Sequence, residues 1–171
     1  IIDDCSFIGG AGDLNPRAPT IFVNSYGAHS ITNCYIENSV TTNKGAIRYL
    51  DDTSNEIVGS QENQNVVLRN ITFNTSRGKG RVALNLILNT NNVEVSDISI
   101  INSIPEKTLI GLEFRSGCNK FDFVDFNFTY NTCSGTYGGG SGIWIERDDA
   151  SKGQPLAISV NNCKFIRNHA E

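Results

Sequence analysis

The stretch ITNCYIENS, residues 31–39, recurs in altered form along the whole chain. IDDCSFIGG stands before it at 2–10. LRNITFNTS (68–76), VSDISIINS (95–103), FVDFNFTYN (123–131) and VNNCKFIRN (160–168) follow. Each copy has an apolar residue and, two places on, Asn or Asp: Asp4, Asn33, Asn70, Asp97, Asp125 and Asn162, at intervals of 29, 37, 27, 28 and 37 residues. Directly after it come Cys5, Cys34, Ile71, Ile98, Phe126 and Cys163, and two further on Phe7, Ile36, Phe73, Ile100, Phe128 and Phe165. Strand side chains alternate between faces, so these two positions share one face, which must be the interior.

A second apolar strand signal falls once in each interval: TIFVN, GAIRYL, VALNLIL, IGLEF and GIWIE. Each repeat of about 28 residues therefore holds one strand of its own and one strand broken by the motif's polar residue. Three short strands per repeat and no helical pattern read as all-β, one turn of a solenoid whose strands pair with the same strands in the next turn. A chain of 171 residues is long enough for one domain with a sizeable core. The expectation is a single segment, 1–171, of five to six turns without evident end caps. It begins and stops inside motif copies and reads as a fragment of a longer solenoid. At a tight bend Asn, Asp and Gly best tolerate unusual backbone angles. Stacked copies about 4.8 Å apart can bond amide to amide, so the six polar residues form an expected structural ladder. Asp at three of the six places breaks a pure Asn ladder, and backbone N–H groups are expected to satisfy the Asp oxygens.

These residues resemble the right-handed parallel β-helix of pectate-lyase-like proteins, in which stacked Asn often occupies the bend between the second and third strands. The NCxF…N motif followed by GAI or GSGI is also similar to the repeats of chlamydial polymorphic membrane proteins and of large protist surface proteins. The resemblance covers the whole chain and implies the fold far more than an activity. Polygalacturonase-type patterns (NTD, DD…HG, RIK) are absent as a set, and no Arg-plus-Asp calcium site of pectate-lyase type is recognisable, which counts against catalysis.

With 14 Lys and Arg against 18 Asp and Glu, the net charge of −4 argues against nucleic acid as a partner. No apolar run approaches the roughly 20 residues of a membrane span. Cys5, Cys34 and Cys163 occupy the same inward position of different repeats and read as free core thiols, since side-by-side Cβ vectors do not suit a disulfide. Cys118 and Cys133 lie too far apart to bond in this scheme. His29 and His169 are isolated and nothing has metal-ligand spacing, so no cofactor is expected. Asp51–Glu56, DDTSNE, is oxygen-rich enough for Ca²⁺ but matches no known loop.

Two longer connections, Asp51–Asn65 and Glu146–Pro155, follow the first strand of their repeats. Three turns apart, about 14 Å, they could wall a groove, or be ordinary loop variation. Aligned through Ile47, Leu84, Leu112 and Ile145, the outward row of the first strand reads Arg48, Asn85, Glu113 and Glu146. Two carboxylates about 5 Å apart suit a retaining glycosidase, and Trp144 beside Glu146 could stack on a sugar. Glu113, Glu146 and Arg48 are thus the catalytic candidates, with Trp144 and Asn85 as ligand contacts. Any solenoid face must carry such polar rows, however. Asn70, Asn74 and Asn127 begin N-x-S/T sequons. Alternation points Asn127 outward and Asn74 opens an apparent loop, so glycan is expected on these two, whereas Asn70 is the bend residue. The functional expectation is a non-enzymatic extracellular or cell-surface stalk, filament or adhesin segment, reached through the secretory pathway. Its partners would be further turns, other copies or glycans. The alternative is a polysaccharide-binding or polysaccharide-cleaving lyase or glycoside hydrolase using the groove.

Overall fold

The polar residue of every motif copy lies in the left-handed region, with φ of 50° at Asp4, 54° at Asn33, 53° at Asn70 and Asp97, 58° at Asp125 and 52° at Asn162. That conformation costs an L-residue roughly 1–2 kcal/mol, least where a short polar side chain can bond locally. The corner therefore selects Asn or Asp, and the repeated motif is the record of that selection.

The computed structural model describes residues 1–10, 20–24, 28–41, 44–50, 65–115, 117–133, 142–147 and 152–170. Among them there are strands and no helix, and the strands pair in parallel. The motif strands form one sheet in repeat order. Ile31 lies opposite Ile2 and Leu68, Leu68 opposite Val95, and Phe123 opposite Val160. The intervening strands form a five-stranded sheet in the order Ile21–Asn24, Ile47–Leu50, Arg81–Leu88, Thr108–Phe114, Ile143–Arg147. The structure adds a fourth short strand to the three expected. Arg77–Gly78 pairs with Val40–Thr41 and Ile104–Pro105, and Thr132–Cys133 with His169–Ala170.

The inward face is where alternation puts it. Phe73, Ile100 and Phe128 stand in register on successive repeats with no exposed surface, and Leu84 and Leu112 are buried too. Each contributes about 1.5–3 kcal/mol by leaving water. Phe114, Phe121, Phe123, Phe126 and Phe128 form a continuous chain of ring contacts, and Phe165 stacks on Phe128 at 4.7 Å between centroids. All five cysteines are free thiols. Burial pushes the Cys34 thiol above its ordinary range, and its Sγ donates to the Thr32 carbonyl at 3.1 Å.

A second corner comes five residues after the first. Gly9, Asn38, Thr75, Asn102, Tyr130 and Arg167 all have φ between 51° and 74°. Only Gly and Asn suit this conformation, so residue type does not mark the column in the sequence. The residue after each corner points inward: Ser39, Ser76, Ser103 and Asn131 are buried. They form a polar column in which one repeat's backbone N–H donates to the next repeat's side chain. Ser76 N reaches Ser103 Oγ (3.2 Å), Ser103 N reaches Asn131 Oδ1 (2.9 Å) and Asn131 N reaches Asn168 Oδ1 (3.1 Å).

Thr75, β-branched and at φ 53°, is the most strained member of this corner. Its hydroxyl donates to Asn38 Oδ1 at 2.7 Å. Thr75→Asn offers a replacement polar side chain and relieves about 1 kcal/mol of backbone strain. The expected result is a melting temperature about 2–4 °C higher by calorimetry; a lower one would mean that the hydroxyl bond outweighs the strain.

Candidate functional site

The candidate site lies on the outer face of the five-stranded sheet, and its register differs from the sequence alignment by two residues. Leu84 pairs with Ile110, not Leu112, and the ladder carries an irregularity between Thr108 and Ile110. A two-residue slip preserves the alternation and is invisible to it. The actual row is Phe22, Arg48, Asn85, Gly111 and Trp144, with Glu113 and Glu146 in the next row beside Ile87. Arg48 and Asn85 therefore do not share the carboxylates' row. Glu113 and Glu146 do face each other on adjacent strands.

Each carboxylate has an arginine beside it. Arg81 Nη2 donates to Glu146 Oε1 at 2.5 Å, and Trp144 Nε1 donates to the other oxygen at 3.1 Å. Arg115 Nε lies 3.7 Å from Glu113 Oε1. To reach Glu146, two strands away, Arg81 crosses directly over Gly111. A Cβ on Gly111 would lie 1.9 Å from Arg81 Nε, so only glycine leaves this passage open. Lys107 Nζ lies over one face of the Trp144 ring, 4.7 Å from the centroid, and Trp144 remains partly exposed. Asn85 is 3 % exposed, and the strand Arg81–Leu88 is buried on both faces apart from the half-buried Arg81. The expected open polar row is thus closed over in its middle.

Residues 51–64 of the first long connection, including the oxygen-rich Asp51–Glu56, and 148–151 of the second lie outside the described residues. Among the described residues no group of three or more His, Cys, Asp or Glu is placed to hold a metal ion. No helix among them is long and apolar enough to cross a membrane.

At the bend, Asn70 Nδ2 donates to Asn33 Oδ1 (2.8 Å), Asn33 Nδ2 to Asp3 Oδ1 (2.9 Å), and Asn162 Nδ2 to Asp125 Oδ1. The first copy is thus entered through Asp3 rather than Asp4. Hydrogen bonds from Thr32 and then Asn33 hold the Asp3 carboxyl below its ordinary range. The Asp125 carboxylate has an amide partner, where backbone N–H groups were expected. The N–H groups of Asp4 and Asp125 go to the carbonyls of Thr32 and Asn161.

The sequon asparagines differ sharply in what holds them. Asn74 ends the strand Asn65–Asn74 instead of opening a loop. Its Nδ2 donates to Tyr35 Oη and Glu37 Oε1, both at 3.0 Å. Asn127 lies between inward Phe126 and Phe128, half-exposed, and its Oδ1 accepts from the Thr129 hydroxyl at 2.8 Å. The polar column at Ser39, Ser76, Ser103 and Asn131 was missed in the sequence. Its signal was there: a small polar residue six places after the bend in five of the six copies. No protein-family model, curated protein or solved structure matches the chain.

Proposed function

We propose that the chain is a segment of right-handed parallel β-helix acting as a non-enzymatic spacer in an extracellular or cell-surface assembly, such as a stalk, filament or adhesin. The observation that carries this reading is the state of the best acid–base pair: Glu113 and Glu146 each have an arginine beside them, and Arg81 crosses over Gly111 to reach Glu146. A retaining mechanism needs one carboxylate free to attack and the other free to give up a proton. The repeats supply what a spacer needs, because each pairs with its neighbours in register and length grows by repetition. Stacking partners would be further repeats or other copies that use parallel strand edges. The expected result is no cleavage of neutral or uronic-acid polysaccharides by the native protein. Cleavage that Glu113→Gln abolishes would replace this reading with the enzymatic one.

Placement outside the cell rests on the sequons. Mass spectrometry of protein from its native source should find glycan on Asn127, whose Nδ2 no hydrogen bond engages. Asn70 should be bare, because its Nδ2 is committed to Asn33. Asn74 was expected to follow Asn127, but both its Nδ2 bonds oppose modification and lower its occupancy further. Three bare sites would remove the reason for an extracellular address.

A further inference from the structure

Among the described residues on the outer face of the five-stranded sheet, cations outnumber anions although the chain as a whole is acidic. The described residues there bring Arg48, Arg81, Lys107 and Arg115 together with only Glu113 and Glu146. Glu146 is taken by Arg81, Glu113 by Arg115, and Lys107 rests on Trp144. Arg48 has no ion pair among the described residues, although the Glu113 charge acts on it from a distance. Its guanidinium carbon sits 5.3 Å from the Phe22 ring centroid, and its Nε is buried without a hydrogen-bond partner. In register beside it stands Asn85, whose amide is a further donor on the next strand. Burial, and after it the like charge of Arg81, push the Arg48 guanidinium below its ordinary range. Glu113 offsets part of this, and a directly bonded anion would offset the rest, since a half-buried cation without a close partner is costly.

We propose that Arg48, seated on Phe22 and flanked by Asn85 and Arg81, is a binding site for one oxyanion, the carboxylate or sulfate group of a small ligand or of an acidic sugar. An arginine resting over an aromatic ring can still turn its terminal N–H groups to such a group. Two parallel N–H···O bonds to one oxyanion are its strongest pairing. Asn85 adds an uncharged donor, and Arg81 adds positive potential without leaving Glu146. The site involves no bond-making step and does not depend on whether the protein is a spacer.

The test is thermal melting of the intact chain at constant ionic strength against inorganic sulfate, sodium glucuronate, and chloride with glucose as the blank. Sulfate also stabilises proteins through exclusion from their surface, an effect that does not saturate, so the readout is the saturable part of the shift. Wild type should show a saturable rise with sulfate, glucuronate or both. Arg48→Gln should weaken it at least tenfold. Arg48→Met, which keeps the packed stem on Phe22, should weaken it equally and serves if the Gln variant folds poorly. A response to sulfate alone identifies a sulfate group as the ligand, and a response to glucuronate identifies a sugar carboxylate. No saturable rise in wild type, or the same rise in both variants, overturns the proposal.

Discussion

Ile100→Asp is expected to abolish native structure in the repeats around it. Ile100 has no exposed surface and lies between Phe73 and Phe128, in register with both. The substitution forfeits about 1.5–3 kcal/mol of apolar burial. It also places a carboxylate between the buried Phe73 and Phe128 side chains, and burying a charge there adds several kcal/mol more. Together these rival the whole stability of an ordinary domain, about 5–15 kcal/mol. In a protein built from stacked repeats the damage centres on the mutated repeat and its two neighbours. Hydrogen exchange should therefore show lost protection over 65–74, 93–101 and 120–129 first. Ser99→Asp provides the control, because Ser99 is adjacent in sequence but on the other face, and should cost no more than about 1 kcal/mol. A protected, normally melting Ile100→Asp protein would mean that the motif faces the other way.

How much of this was legible in the sequence follows from what each position must satisfy. The first corner could be read because the left-handed region favours Asn and Asp, and all six copies comply. The inward face could be read because a period of two survives small errors of alignment, and Phe73, Ile100 and Phe128 stack as expected. The same tolerance concealed the register of the other sheet: placing Leu112 instead of Ile110 opposite Leu84 keeps every inward residue inward, yet wrongly brings Arg48 and Asn85 into the carboxylates' row. The second corner escaped because Thr75, Tyr130 and Arg167 occupy it against their preference, held by the strands on either side. The ion pairs were out of reach for another reason. Arg81 and Glu146 are 65 residues apart, and their contact depends on the missing side chain of Gly111, which nothing in the local pattern announces.

The second large effect is expected at Asn131, a residue that composition alone would class as an ordinary surface asparagine. It is fully buried, and all its polar atoms have partners. Its Nδ2 donates to the Ile100 carbonyl and to Asn168 Oδ1, both at 2.9 Å, and its Oδ1 accepts the Ser103 N–H at 2.9 Å. Asn131→Ala leaves that N–H buried without a partner, at about 1–3 kcal/mol, takes the side-chain hydrogen bond from that carbonyl, and opens a void where the amide packed. The expected loss is about 3–5 kcal/mol, read from the denaturant midpoint. Asn131→Ser should lose about half as much, since Ser103 in the same column serves both as acceptor and as donor through its hydroxyl. Asn131→Asp separates the hydrogen bonds from packing. It still accepts from Ser103 but turns a lone pair towards the Ile100 carbonyl and Asn168 Oδ1, so burial raises the pKa of the new carboxyl above its unfolded value. A carboxyl with a raised folded pKa is destabilising once ionised, so this variant should gain stability as pH falls from 7 towards 4. If Asn131→Ala melts like wild type, the column is packing filler; if Asn131→Asp shows no such gain at low pH, its hydrogen bonds do not hold the corner.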